Sequence, residues 1–418
     1  MRDRVLNIFL QGTTLLARFG FVFFLAKYLS PAEIGYYGLF SAAIGYSIYF
    51  VGLDFYTYLT REIIVTPMEK RATLLKGQVA LSLLLYVVFI PVALFFVVKY
   101  SDWPHYLMWW FFPILVVEHF NQEVGRLLVA LSEQVTASAI LFVRQGIWSL
   151  FVVFVMFFEP SSRVLSFPMV AWFVSGIFAA LLGFFKLKKI GVRGWSNKLD
   201  WKWIKNGIAV SAAFLFATLA LRGIQTFDRY MLESIGGVEI VGVYVLFIGI
   251  AGSLLAFLDS GIFSFTYPAL ISLSQNCRWA DARKKVKQML WLTIAFSIFF
   301  TILSLIVMPY LLKWIGKGIY AESIDLYYWI LLATVTNAIG LIPHYALYAA
   351  GKDGAIILSH TFGFIVFFVA VFFLQSTSFA LAVPQGIFVA FLFILIFKAI
   401  AYIVFSQSKM VETVRKFI

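Results

Sequence analysis

Long apolar stretches separated by short polar segments run through the whole chain. A run of about 20 apolar residues is long enough to cross a bilayer as an α-helix, because each residue advances the helix by about 1.5 Å. The breaks carry turn-forming and charged residues, as at Ser30-Pro31, Asp102-Trp103-Pro104 and Glu159-Pro160. The pattern predicts twelve transmembrane helices, near residues 7–28, 36–60, 73–98, 105–128, 136–158, 165–186, 206–233, 239–271, 288–312, 323–350, 354–375 and 382–405.

The composition agrees with this pattern. Of the 418 residues, 62% are hydrophobic and only 13% are charged, and the mean hydropathy is +0.93. Soluble domains carry about 25% charged residues, so we expect a polytopic membrane protein. The single cysteine, Cys277, leaves no internal disulfide to consider.

Basic residues are distributed unequally between the two sides of the predicted membrane. When residues near helix ends are counted with the adjoining loops, twenty-three lysines and arginines fall in the termini and one alternate set of loops, five in the other set and five well inside predicted helices. Cytoplasmic loops carry an excess of Lys and Arg, so we expect both termini in the cytoplasm. Membrane topology thus accounts for the net charge of +13, and no nucleic acid is expected as a partner.

The longest polar connection, residues 186–205, falls near the middle of the chain, and tryptophans alternate there with lysines. Such a segment is typical of a membrane interface. We therefore predict an N-terminal six-helix lobe at 1–190, a cytoplasmic interfacial linker at 191–205 and a C-terminal six-helix lobe at 206–418. Because six is even, both lobes have the same orientation, as in a parallel repeat.

A weak internal repeat supports this division. Glu33-Ile34-Gly35 in the first lobe matches Glu239-Ile240 and Gly242 in the second, and Leu39-Phe40 matches Leu246-Phe247. Self-similarity of this kind is the signature of a duplicated unit.

Two arginines lie near the middle of the first helix of each lobe, Arg18 and Arg222. An arginine at the bilayer centre costs roughly 2.5–3.5 kcal/mol on insertion scales, so such residues usually face an interior cavity. We predict that both line a cavity that binds an anion. Structural ion pairs with Asp54, Asp228 or Asp259 are the alternative.

Three further cations lie inside predicted helices, Arg144, Arg229 and Lys398. Arg144 and Arg229 are candidates for the same anion site, although Glu118 and the adjacent Asp228 are natural partners for them. Lys398 is expected to reach the surface from near its helix end.

A local pair is expected in the fourth helix. Glu123 and Arg126 share a face there at i, i+3 spacing and should form an ion pair.

Intramembrane carboxylates commonly form ion or proton relays. Asp54, Glu118, Asp228 and Asp259 are therefore candidates for coupling to a proton or sodium gradient. No pair of histidines has the spacing of metal ligands, so we expect no metal site and no other cofactor.

One group of motifs resembles the Wzx-type polysaccharide (O-antigen) flippases of the multidrug/oligosaccharidyl-lipid/polysaccharide exporter (MOP) superfamily. The group is Leu29-Ser-Pro-Ala-Glu-Ile-Gly-Tyr-Tyr-Gly-Leu-Phe40, Gly52-Leu-Asp54, Thr60-Arg-Glu62, Leu127-Leu-Val-Ala-Leu131 and Trp203-Ile-Lys-Asn-Gly207. The resemblance extends over the length, helix count and lobe division of the chain. It implies a MATE-like, all-α membrane protein, with about twelve transmembrane helices in two six-helix lobes around a central cavity.

The resemblance also implies a function. The cargo would be an undecaprenyl-pyrophosphate-linked oligosaccharide, carried by alternating access from the cytoplasmic to the periplasmic leaflet of the bacterial inner membrane. Membrane lipids and other polysaccharide assembly proteins would be partners, with Arg18 and Arg222 as docking points for the pyrophosphate. The product would serve O-antigen, lipopolysaccharide or other surface polysaccharide biosynthesis.

Other functions remain to be weighed. The chain has no Gly-x-x-x-x-Gly-Lys-[Ser/Thr] loop, and its longest outer connection, 312–323, is short for a glycosyltransferase or polymerase, so we do not expect an enzyme. A cation-coupled drug or metabolite exporter of the same superfamily is the main alternative, although its cavity should be acidic. A lipid scramblase or structural membrane protein is a further one and would not depend on the buried charges.

Overall fold

The computed structural model describes residues 2–100 and 103–415, so Asp102 of the predicted third break lies outside the described residues. The described chain is helical throughout and contains no strand. The α-helices of the first half are α1 (Arg2–Tyr28), α2 (Pro31–Gly52), α3 (Tyr56–Val65), α4 (Met68–Tyr100), α5 (His105–Ala130), α6 (Gln134–Leu141), α7 (Trp148–Phe158) and α8 (Ser166–Ile190). Those that follow are α9 (Trp201–Leu258), α10 (Ser264–Gln275), α11 (Trp279–Ile315), α12 (Gly318–Glu322), α13 (Ile324–Ala349), α14 (Asp353–Ser378) and α15 (Ala382–Arg415).

Nine segments of the described chain are long and apolar enough to cross a membrane. Two of them, Thr218–Gln275 and Asp353–Gln407, are 58 and 55 residues long, about twice the length that one crossing needs. Gly237 interrupts the first with φ +81°, and a short 3₁₀ turn at Phe379–Leu381 interrupts the second. The seven shorter segments supply one crossing each, and the two long segments supply two each. Helix α5, which carries more charged residues, is the twelfth of the predicted crossings.

The chain divides into two compact units, Met1–Leu219 and Ala220–Ile418, each of which is described by itself below. The boundary falls inside α9, which begins at Trp201. The lobe limits expected from the sequence stay a prediction.

The second crossing is broken at an equivalent place in each unit. In the first, α2 ends at Gly52, and Leu53 and Asp54 have positive φ values of 49° and 50° before α3 begins. In the second, the helix passes into a π-helical turn at Asp259–Phe263 before α10. The predicted span at 36–60 therefore contains a break that apolarity alone does not show.

The turn after the fourth crossing also repeats. Ser132 and Gly351 take left-handed φ values of 64° and 67°. Behind them, the amide of Glu133 donates to the carbonyl of Leu128, and that of Lys352 to the carbonyl of Leu347, at 2.8 and 2.9 Å. These bonds satisfy carbonyls that a helix end leaves without partners. The two units thus share local backbone geometry where their sequences differ.

The motif at residues 30–33 starts the second helix. Ser30 caps α2, Pro31 occupies its first turn, and the Glu33 carboxylate accepts a hydrogen bond from the Ser30 amide at 3.0 Å, which completes a capping box. The other Glu33 oxygen accepts from the amide of Leu165, also at 3.0 Å. The motif therefore has a structural role, because it ties the start of α2 to the start of α8.

The third crossing of each unit is the most exposed to its surroundings. In α4 and α11, only 11% of the residues in the most apolar stretch of the helix are buried, whereas the fraction is 56% in α2 and α13. Both helices expose large apolar side chains, including Leu83 and Val87 on α4 and Phe299 and Ile306 on α11. Such surfaces fit lipid rather than water.

Helix α8 packs closely on α5 through glycines. A Cβ atom added to Gly176 or Gly183 would lie 2.6 Å from a methyl group of Val117 or Val124, respectively. Small residues let membrane helices approach closely. This packing fixes α5 and the charged residues that it carries.

Lys398 was expected to reach the surface, and that expectation is wrong. Its exposed fraction is 3%, and it lies 17 positions before the end of α15 at Arg415. The side chain faces His360 on α14, whose ring it contacts at 2.8 Å, and therefore lies inside the unit instead of extending out of the apolar layer.

We predict that Gly183→Ala lowers the stability of the protein by about 1–3 kcal/mol, because the new methyl group overlaps Val124. Gly45→Ala is the matched control, since no atom lies within 4 Å of an added Cβ there. Thermal unfolding of the purified protein in detergent measures both. Equal unfolding temperatures for the two variants would contradict the packing described.

Candidate functional site

A buried ion pair lies at the centre of the first unit. The Nε atom of Arg144 donates to Glu118 Oε2 at 2.7 Å, and the residues are 8% and 4% exposed. Trp172 on α8 donates its indole N–H to the other carboxylate oxygen at 2.7 Å. The expected pairing is confirmed, and both oxygens of the buried carboxylate have donors, which such a pair requires.

A π-helical turn at Phe142–Ile147 positions this pair within the fifth crossing. The wider turn directs Arg144 to α5, while Gln145 accepts a hydrogen bond from Arg18 on α1 at 3.0 Å. π-Helical turns are rare and occur often at functional sites.

Arg18 is exposed on α1. Its polar partner is the amide oxygen of Gln145, and in the described part of the chain no carboxylate lies within ion-pair distance of its guanidinium. The structural alternative of a bridge to Asp54 is therefore wrong for Arg18. Its charge is held in place by a neutral group.

A second polar network joins the break after α2 to α4 and α5. Arg126 and Glu123 form the expected ion pair at 2.8 Å, and Gln78 also donates to Glu123. The Arg126 guanidinium lies 3.6 Å from the centroid of the Tyr56 ring, a cation–π distance. Asp54 is 3% exposed and close enough to Glu123 for their charges to interact.

These two networks border one cavity of the first unit, of about 550 Å³. Its polar lining is Gln11, Tyr56, Thr60, Asn121, Gln122, Arg126, Ser138 and Arg144. The lining combines two arginines with amides and hydroxyls that can accept and donate hydrogen bonds. Each arginine has a carboxylate partner, so the cavity is polar and its charges are balanced.

The second unit contains a smaller cavity, of about 310 Å³, beside Asp228 and Arg229. The Asp228 carboxylate accepts from the Tyr244 hydroxyl at 2.8 Å and from the Arg229 amide at 2.7 Å. The Arg229 guanidinium lies 3.4 Å from the same carboxylate. The local pairing considered for Arg229 is thus present.

Arg222 and Asp259 lie apart from this buried pair. Arg222 is exposed and donates to Gln225, one turn further along α9, at 3.2 Å. Asp259 is exposed at the start of its π-helical turn. Like Arg18, Arg222 has a glutamine amide oxygen among its partners.

The sequence reading assigned no role to the histidines, yet three of the four make specific buried contacts. His119 Nδ1 lies 2.6 Å from the Tyr86 hydroxyl on α4. His360 contacts Lys398, and its ring stacks on that of His344. The sequence feature that could have indicated these contacts is the position of the histidines inside apolar runs, where a polar side chain needs a partner. Within the described residues, no three His, Cys, Asp or Glu side chains are grouped to hold a metal ion.

Comparison with known families yields one match. Residues 1–274 match the model of a family described as "Polysaccharide biosynthesis protein". No curated protein matches the chain.

Solved transporters are similar over almost the whole chain. A multidrug resistance MATE family transporter of the MOP superfamily matches in an inward-facing structure with a TM-score of 0.79, 12% identity and coverage of 97% of this chain and 98% of that one. An outward-facing structure of such a transporter has a TM-score of 0.64, at 12% identity, 98% and 97% coverage.

A further match is a MOP superfamily transporter from Pyrococcus furiosus, for which a reversed polarity of the binding pocket suggests a different function. The TM-score is 0.62, with 12% identity and coverage of 98% and 94%. Identities this low establish the fold alone. The predicted all-α, MATE-like membrane fold is thereby confirmed.

We predict that Arg144→Met or Glu118→Met alone destabilises the protein by about 3–5 kcal/mol, because each leaves an unpaired charge in the apolar interior. The double variant should regain much of this loss, since no charge remains. A double-mutant cycle on thermal unfolding in detergent measures the coupling. Additive losses would show that the pair is not the stabilising unit.

Proposed function

The chain belongs to the polysaccharide biosynthesis protein family, and we propose from that premise that it is a flippase for a polyprenyl-pyrophosphate-linked oligosaccharide. In this proposal it moves the headgroup from the cytoplasmic to the periplasmic leaflet of the bacterial inner membrane by alternating access, with both termini in the cytoplasm. The product would serve O-antigen or other surface polysaccharide. The family and the fold support a membrane transporter, not an enzyme.

The observation that carries the proposal is the exposure of Arg18 and the nature of its hydrogen-bond partner. A guanidinium on a membrane-spanning helix is exposed and held by an amide oxygen rather than by a carboxylate. Its charge is therefore available to a ligand. A guanidinium presents paired N–H groups that match phosphate oxygens, and it stays charged at any physiological pH.

Arg222 supports the same proposal from the second unit. It also lies on the first crossing of its unit, is exposed and contacts a glutamine amide oxygen. We propose that Arg18 and Arg222 each serve as a docking point for the pyrophosphate, because a guanidinium group matches the geometry of phosphate oxygens. A sugar-phosphate headgroup without such partners cannot enter hydrocarbon, where each unpaired polar group costs several kcal/mol.

The other candidate residues rank below these two. Arg144 and Arg229 each have a carboxylate partner, which makes a structural contribution the simpler role. Coupling to a proton or sodium gradient through Asp54, Glu118, Asp228 or Asp259 remains a prediction.

A cation-coupled drug or metabolite exporter is the second candidate function. The similar solved structures include multidrug resistance transporters, which favours it at the level of fold. The Pyrococcus furiosus transporter, in which pocket polarity is linked to function, indicates that the sign of the pocket charge is the property to compare. Exposed arginines on membrane-spanning helices would repel cationic drugs and attract an anion.

We predict that Arg18→Ala and Arg222→Ala each reduce surface polysaccharide by at least tenfold in a strain that depends on this protein. A single charge-assisted contact to phosphate is worth roughly 1.5–3 kcal/mol, and about 1.4 kcal/mol corresponds to tenfold. Lipid-linked intermediates should accumulate in the membrane at the same time.

The matched control is Arg278→Ala, which removes an exposed arginine that lies between two membrane-spanning segments and pairs with Asp281. Immunoblotting of membranes shows that all variants are inserted in equal amounts. Normal polysaccharide in both the Arg18 and Arg222 variants would overturn the cargo assignment, and loss of drug resistance with normal polysaccharide would favour the exporter.

A further inference from the structure

Three basic side chains form a cluster in the second unit, and two of them are buried. The Nζ atom of Lys398 on α15 lies 2.8 Å from Nε2 of His360 on α14. The two residues are 3% and 7% exposed. The ring of His344 on α13 stacks on His360, with centroids 5.9 Å apart and planes at 16°. Three helices thus contribute one basic group each to a single site.

No carboxylate of the described chain balances this cluster. The charge that acts on both imidazole rings is that of Lys398. The charge of Asp259 acts on Tyr345, which follows His344 along α13, and not on either imidazole ring.

Asp325 and Asp353 lie in the first turns of α13 and α14. The titratable groups beside the cluster itself are phenols and one arginine. Tyr345 follows His344 on α13, Tyr402 lies one turn beyond Lys398 on α15, and Arg283 on α11 acts on Tyr402. Tyr267 on α10 contacts the ring of Tyr345. Neither the phenols nor the arginine supply a negative charge at neutral pH.

The contact between Lys398 and His360 limits the number of protons that they hold. An ammonium group only donates hydrogen bonds, and an imidazole nitrogen accepts one only when it carries no proton. At 2.8 Å, one proton therefore lies between the two nitrogens, on either the amine or the ring. A second proton would place two like charges at hydrogen-bond distance in an apolar environment, which is strongly unfavourable.

The geometry does not suit an anion in the same place. The amine and the imidazole contact each other directly, and neither of the two unit cavities described above is lined by these three residues. The small space beside Arg283 and Tyr402, about 20 Å³, is also not lined by them. An anion would have to separate groups that are already hydrogen-bonded.

The first unit carries a different group on the same three crossings. Its fourth, fifth and sixth crossings supply Glu118, Arg144 and Trp172, and there the carboxylate accepts hydrogen bonds from the guanidinium and from the indole N–H. In the second unit the corresponding crossings supply His344, His360 and Lys398. Of these two arrangements, only the second places two nitrogens that can each bind a proton in direct contact with one another.

We propose that Lys398, His360 and His344 form a proton-binding site that gains and loses one proton. His344 and His360 lie seven positions from Gly351 and Asp353, which flank the connection between α13 and α14. At about 1.5 Å per residue the site is roughly 10 Å from that end of the helices. If the proposed transport function holds, on which this consequence rests, the site couples cargo movement to the proton gradient.

Nitrogen NMR of the full-length protein, labelled with ¹⁵N-histidine and placed in lipid nanodiscs, tests the proton site without any cargo. His360→Gln assigns the relevant ring signal. We expect Lys398→Met to move the pH at which the His360 ring becomes charged upward by about one pH unit or more, as removal of a neighbouring like charge should. Lys313→Met, at an exposed lysine near the end of α11, should leave it unchanged.

If the His360 ring titrates at the same pH in Lys398→Met as in the wild type, the proposal is overturned. A shift of the wild-type His360 nitrogen signal on addition of inorganic phosphate would also overturn it, because it would show an anion site. Lys398→Gln provides a second variant should the methionine variant fold poorly. Coupling is tested separately by export in cells. Export that stays sensitive to a protonophore in Lys398→Met would refute coupling through this site, whereas normal export in the Arg18 variant would refute the cargo proposal alone.

Discussion

A charged group inside a membrane needs a partner, and this constraint organises the interior of both units. In the first unit, Glu118 receives hydrogen bonds from Arg144 and Trp172 and so joins three successive crossings. In the second, Asp228 is satisfied by Tyr244 and by the backbone of its neighbour. The helices pack as they do because each buried charge must reach its donor, and the same requirement makes an exposed, weakly held arginine stand out.

The two units repeat their backbone more faithfully than their chemistry. Both break the second crossing near the same position, turn through a left-handed residue after the fourth, and expose the third. At the corresponding crossings the first unit has an ion pair, and the second has a lysine in contact with an imidazole. Units that share local backbone geometry thus hold different polar groups.

Apolar periodicity and loop charge predict the helices because lipid imposes a minimum length and forbids unpaired backbone. The Glu123–Arg126 pair follows from helical spacing alone, and the Glu118–Arg144 pair from the neighbourhood of the two helices. The contact of Arg18 with Gln145 could not be predicted, because a π-helical turn rotates Gln145 toward α1 across 127 positions of sequence. Lys398 was misjudged because the sequence does not show that its side chain faces His360 on the neighbouring helix α14.

The central claim is that the exposed arginines bind a pyrophosphate-linked cargo. Its most direct test is translocation of a short-chain polyprenyl-pyrophosphate oligosaccharide in proteoliposomes that contain only the purified protein, followed by the accessibility of the sugar to an added lectin. The account predicts transfer to the opposite leaflet by the wild type and none by the Arg18→Ala, Arg222→Ala double variant. Equal transfer by the wild type and the double variant would contradict the account. So would the absence of oligosaccharide transfer by both proteins while the wild type transports a cationic dye.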